Sequence, residues 1–91
     1  MTPAPASFQL AEHITINSTD GGAVLLDKRN GEYWALNETA TYMLNGLTAQ
    51  LDDFAIATST SELFEAPIEA IELDVKRLRS TLSENGFTKS P

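Results

Sequence analysis

The chain contains no cysteine and a single histidine. The first absence excludes a disulfide framework, a thiolate metal site and a cysteine nucleophile. The second leaves His13 as the one imidazole that could act as a general base. It stands at the start of a candidate strand with no evident partner, so a surface or edge position is expected. Bases are scarce as well, 6 against 13 acids, for a net charge of −7. Duplex nucleic acid is bound through clustered Lys and Arg. An anionic membrane surface asks for the same residues. Neither is an expected partner. No apolar run approaches the ~20 residues of a membrane span. Met1 to Ser7 lacks the basic start and apolar centre of a signal peptide. It reads as part of a disordered arm, residues 1–9, in a cytoplasmic protein. Phosphate loops and clustered metal ligands are also missing. No metal and no cofactor is expected.

Catalysis finds little support in what remains. Asp52 and Asp53 are adjacent, so their side chains diverge, and helix capping suits them better than acid–base pairing. The many Ser and Thr have no paired base to activate them. A non-enzymatic protein is expected.

The 91 residues fit one small domain. A chain of this size buries only about 60–65% of its unfolded surface, so the core is thin. The first half reads as strands. His13 to Asn17 alternates and is β-branched. Ser18 to Gly22 is a turn cluster. Ala23 to Lys28 and Glu32 to Leu36 are two further strands, joined across Asn30-Gly31. That dipeptide favours a two-residue type I′ turn. Such a turn sets Arg29 against Glu32, Asp27 against Trp34 and Leu25 against Leu36. One face then carries Leu25, Trp34 and Leu36. The other carries Val24, Leu26, Tyr33 and Ala35. Both are apolar, although a sheet covered on one side should have one polar face. The ribbon is therefore either covered twice or leaves apolar surface for a partner.

The second half reads as helices. Asn37 is an N-cap, followed by Glu38 and by Ala40, Met43, Leu44 and Leu47 at helical spacing. This helix is expected to stop near Gly46. Asp52 to Ala66 is ambiguous. The run Thr58 to Ser61 has poor helix propensity, leaving one weak helix or a short one from Ser59 or Ser61. From Ile68 the apolar stripe Ile68, Ile71, Val75, Leu78 and Leu82 is plain. Pro67 opens it and Asn85-Gly86 closes it, with Phe87 folding back. Glu72 and Arg79 flank the stripe on one side, and Asp74 and Thr81 on the other. Either flank could border a groove. The order is an α+β domain, three strands followed by three helices.

Glu32 to Leu36 is the last strand of the ribbon, and its outer edge has no obvious partner. An uncovered edge can accept an added peptide strand. Tyr33 and Trp34 lie on it, residue types common at interface anchors.

The run Leu25-Leu26-Asp27, then Gly31 through Ala40, resembles the PqqD family: a hairpin ending in an aromatic strand, then Leu-Asn, then a helix. Asp74-Val75 through Leu78 and Leu82 to Asn85-Gly86-Phe87 resembles the family's last helix and its Gly-apolar finish. The resemblance covers residues 10–88, with 89–91 left as a frayed end. It implies a winged helix-turn-helix with a three-stranded antiparallel sheet. It also implies a recognition element for ribosomally made, modified peptides. The Tyr-Trp-x-Leu-Asn pattern is most similar to free-standing members of lasso peptide clusters. There the domain binds the leader of a precursor peptide and presents it to a transglutaminase-like leader peptidase and an ATP-dependent cyclase. The implied docking strand is Glu32, Tyr33, Trp34, Ala35 and Leu36, with Tyr33 and Trp34 as pocket walls. Val75, Leu78, Arg79 and Leu82 are the candidates on the facing helix. Alternatives are a peptide chaperone for another modified-peptide pathway, or a winged-helix transcription regulator. The −7 charge argues against the regulator, and would steer toward a basic leader.

Overall fold

The computed structural model describes residues 8–89. Strands β1 (Ile14–Thr19), β2 (Gly22–Asp27) and β3 (Glu32–Asn37) precede helices α1 (Glu38–Thr48), α2 (Asp53–Phe64) and α3 (Ile68–Glu84). The sheet is antiparallel in the order β1-β2-β3. Three strands followed by three helices is the expected α+β arrangement.

Alternation divides the sheet into two faces. The inner face carries Ile14, Ala23 and Leu25, all buried, with Trp34 and Leu36 half-buried. It packs on Met43, Leu44 and Leu47 of α1, on Ile56 and Ala57 of α2, and on Ile71, Val75 and Leu82 of α3. The outer face carries Val24, Leu26, Tyr33 and Ala35 by register.

The β2–β3 register differs from expectation. Asp27 pairs with Glu32, Leu25 with Trp34 and Ala23 with Leu36. The loop is four residues long. Asp27 makes it so: its carbonyl accepts the Gly31 N–H at 2.8 Å and its carboxylate accepts the Arg29 N–H at 3.0 Å. The shift is two residues, an even number, so every side chain keeps its expected face.

Two helix boundaries also move. Gly46 does not end α1, which runs on to Thr48. A Cβ there would stand 2.8 Å from Ile56 Cγ1, so the glycine allows α1 and α2 to pack closely. The weak stretch forms one helix, capped by Asp52, which accepts the Ala55 N–H at 2.7 Å. Two of its hydroxyl residues find partners within the helices, Thr60 donating to the Ile56 carbonyl at 2.6 Å and Ser59 meeting the Tyr42 hydroxyl, while the buried Thr58 hydroxyl has none among the described residues. Asn37 caps α1 as expected, accepting the Ala40 N–H at 2.8 Å.

The ends are shorter than the expected arm and tail. Phe8 is buried, and its backbone forms a pair of hydrogen bonds with the Gln50 side chain. Leu10 bridges Thr88, and the Gln9 carbonyl accepts the Lys89 N–H at 3.0 Å. The proposed disordered segment 1–7 lies outside the described residues, as do 90 and 91. Among the described residues no helix is long and apolar enough to cross a membrane.

Candidate peptide-docking groove

Strand β3 is an edge strand: among the described residues it pairs only with β2. Its other edge therefore presents main-chain N–H and C=O groups at every second residue. Helix α3 runs beside this edge with its backbone set apart from it. No Cα of α3 lies within 8 Å of a Cα of β3. A strand added to β3 would sit about 4.8 Å away, inside that gap.

The gap is a groove of about 250 Å³. Trp34 and Leu36 line it from β3, Ala40 and Met43 from α1, and Asp74, Arg77, Leu78, Thr81 and Leu82 from α3. Met43 and Leu82 are buried and form the floor. Arg77 and Thr81 are exposed and form the rim. Trp34 is braced by Phe87, edge to face with ring centroids 4.9 Å apart. The expected fold-back of Phe87 thus sets the tryptophan wall.

A polar clasp joins the hairpin loop to the end of α3. Arg29 grips the buried Asp27 carboxylate with two bonds, Nε to Oδ1 at 3.0 Å and Nη2 to Oδ2 at 2.7 Å. The same Nη2 donates to the Asn85 carbonyl at 3.1 Å, at the C-terminus of α3. Cations are favoured there by the helix dipole. His13 joins the clasp: its Nε2 donates to the Gly86 carbonyl at 2.8 Å. The unpartnered histidine of the sequence reading therefore has a partner, 73 residues away in the chain. Gly86 is left-handed, with φ of 74°, and a Cβ would press on the Arg29 guanidinium at 3.1 Å. The hydrogen bonds from Arg29 hold the Asp27 carboxyl at about 2, against an ordinary 3.8. Asp27 in turn raises the Arg29 guanidinium. The hairpin loop is thus tied to the end of α3, which fixes the helix relative to β3.

Most of the expected site residues gather here. Trp34, Leu36, Leu78 and Leu82 line the groove, and Glu32 to Leu36 form its edge. Two helix candidates do not. Val75 is fully buried in the core. Arg79 lies on the other flank of α3, where its Nε donates to Asp53 of α2 at 2.8 Å and its guanidinium stands 6.0 Å from the Phe8 ring. Tyr33 is not a groove wall either. It occupies the outer face and is 68% exposed. Ala35 shares that face. Asp74, Arg77 and Thr81 were absent from the expected set. Their three- and four-residue spacings from one another placed them on one flank, but spacing alone did not say which flank was open. Among the described residues no cluster of three or more His, Cys, Asp or Glu could hold a metal.

The class defined by these features is a small α+β domain with an open sheet edge beside a helix. The family model "Coenzyme PQQ synthesis protein D (PqqD)" matches residues 22–87. The chain belongs to the PqqD family, and its three strands and three helices are the winged-helix-like fold of that family. It is similar to a solved structure described as "Lasso peptide synthetase B1 complexed with the leader peptide". The two are 35% identical, with a TM-score of 0.84 over 93% of this chain and 100% of that one. A second structure, "TbiB1 in Complex with the TbiA(beta) Leader Peptide", shares the fold at 14% identity. Its TM-score is 0.77, over 91% of this chain and 96% of that one. No curated protein matches the chain.

Proposed function

We propose that this chain binds the leader segment of a ribosomally synthesised precursor peptide by strand addition to β3. It then presents the precursor to a leader peptidase and an ATP-dependent cyclase in lasso peptide biosynthesis, doing no chemistry itself. One observation carries the reading: the unpaired edge of β3 lies against an apolar groove whose far wall, α3, stands off by more than 8 Å. Main-chain bonds to β3 supply affinity for any extended peptide, and the groove supplies selectivity for its side chains. Alternation sends every second peptide side chain into the space between Trp34, Leu36, Leu78 and Leu82. The similarity to a structure described as holding a leader peptide, at 35% identity, supports the same reading.

The test is a fluorescence titration of labelled leader peptide from any precursor encoded nearby. Wild type binds, and Trp34→Ala weakens binding by at least tenfold, since a buried aromatic anchor is worth ~2 kcal/mol or more at an interface. Equal affinities would remove Trp34 from the site, and no binding by wild type would remove the function.

A further inference from the structure

The sheet has a second open edge. Among the described residues β1, like β3, pairs only with β2. The His13 carbonyl accepts the Lys28 N–H at 2.8 Å. Every second position from His13 therefore bonds to β2, and the positions between face away. Ile16 and Ser18 turn their N–H and C=O groups to the open side. Exposed edges are ordinarily guarded by Lys, Pro, a bulge or a covering element. Ile14–Thr19 has no charge and no proline, and its register with β2 is unbroken. No Cα of any helix lies within 8 Å of a Cα of β1. Ile16 shares the inner face with Leu25, yet it is 41% exposed.

A second groove adjoins the end of this edge. It holds about 310 Å³ and is lined by Ser18 and Thr19 of β1, Tyr42 and Asn45 of α1, and Leu63 and Phe64 of α2. Phe64 stands edge to face with Tyr42 at 5.7 Å, and Leu63 is 58% exposed. An open strand edge beside a groove with apolar walls thus occurs twice in the molecule. The two differ in charge. An acid and a base, Asp74 and Arg77, both reach the groove at β3. The charged residues lining the groove at β1 are both acids, Asp20 and Glu38. The exposed Glu62 and Glu65 flank Leu63 and Phe64 in the chain. Residues 30–75, which include all of α1 and α2, hold nine acids and no Lys or Arg.

We propose that the β1 edge is a second docking site, which takes a basic extended segment of a partner protein. Main-chain bonds to Ile16 and Ser18 hold that segment about 4.8 Å from β1. Its inward side chains are small or apolar and pack toward Ile16, Leu63 and Phe64. Its Lys or Arg residues meet Asp20 and Glu38. The site makes no use of β3, so it stands apart from the peptide-binding reading above. A second copy of the chain fits less well, because its own β1 offers no base and it brings a further −7 of charge.

The test is amide hydrogen exchange on the full chain, read residue by residue by NMR. The probes are a synthetic peptide of alternating Lys and Val and its Glu-Val counterpart. In the free protein Ile16 and Ser18 exchange quickly, since unpaired edge amides are open to water. Excess Lys-Val peptide is expected to slow both at least tenfold, and Glu-Val peptide to leave both within twofold. Asp20→Lys combined with Glu38→Lys is expected to remove the protection by Lys-Val peptide. Leu63→Lys, at an exposed position of the same groove, makes the same test should the double variant not fold. Leader peptide is expected to protect Tyr33 and Ala35 instead. A failure of the peptide reading therefore shows at β3, and a failure of this one at β1. The proposal is overturned if Lys-Val peptide leaves Ile16 and Ser18 unprotected, if both peptides protect them equally, or if the folded variants are protected like wild type. It is overturned equally if protection without peptide rises with protein concentration, which assigns the edge to a second copy.

Discussion

The two flanks of α3 carry similar residues and meet different surroundings. One flank sets Asp74, Arg77 and Thr81 around the half-buried Leu78, facing the open edge of β3. The other sets Arg79 against Asp53 of α2, an ion pair of 2.8 Å under the Phe8 ring. Each flank has an acid and a base beside the same apolar stripe. What separates them is the neighbour. Helix α2 fills one side, and nothing described fills the other. An amphipathic pattern reports which stripe of a helix is buried. It is silent on which border of the stripe stays open, because that depends on elements distant in the chain.

Charging the open flank should break the comparison most severely. Leu78→Asp places a carboxylate in the groove, where an added strand would desolvate it. Peptide affinity should fall by about thirtyfold or more, equivalent to ~2 kcal/mol. Leu78 is only partly buried, so thermal unfolding should show a folded protein with a lowered Tm. Affinity within threefold of wild type in that folded variant would show that the groove is not where the peptide lies.

The clasp offers an intermediate effect and a pH signature. The folded Asp27 carboxyl sits at about 2, below its ordinary 3.8, chiefly because Arg29 donates to it. A depressed folded value means that the ionised form stabilises the fold. That contribution is complete above about pH 4 and is lost as the pH falls toward 2. Urea midpoints measured from pH 6 to pH 2 should therefore decline in wild type. They should decline less in Asp27→Asn, which begins lower and has no such carboxyl to protonate. Loosening the clasp frees the end of α3, so Asp27→Asn should also weaken peptide binding by roughly threefold, about 0.7 kcal/mol. Identical pH profiles would mean that another carboxylate carries the acid sensitivity.

How far the sequence reached follows the same division between local and distant determinants. The alternation of Glu32 to Leu36, the Asn37 cap, the stripe from Ile68 to Leu82 and the Asn85-Gly86 stop are local patterns, and each element formed where its pattern lay. The faces of the hairpin were legible too. Its register was not, because the Asp27 carboxylate and Arg29 lengthen a turn that Asn30-Gly31 would have closed in two residues. Gly46 looked like a stop because its partner, Ile56, lies in another helix. His13 looked unpartnered because Gly86 is 73 residues away. Arg79 and Val75 entered the expected site for the same reason. Both lie close to Leu78 in sequence, but α2 and the core claim them.

Arg79→Ala should have the smallest effect and is the sharpest control. Both partners of its ion pair are about one-third exposed, with side-chain exposures of 37% and 34%. Pairs in such positions contribute between about 0 and 1 kcal/mol, and salt screens what there is. The aliphatic stem of Arg79 also covers apolar surface, so a modest loss of stability is expected even in high salt. Peptide affinity should stay within twofold of wild type, because the side chain lies across the helix from the groove. A tenfold loss of affinity with an unchanged Tm would reverse the assignment of the two flanks. It would place the peptide between α3 and α2, where the Arg79–Asp53 pair would have to open to admit it.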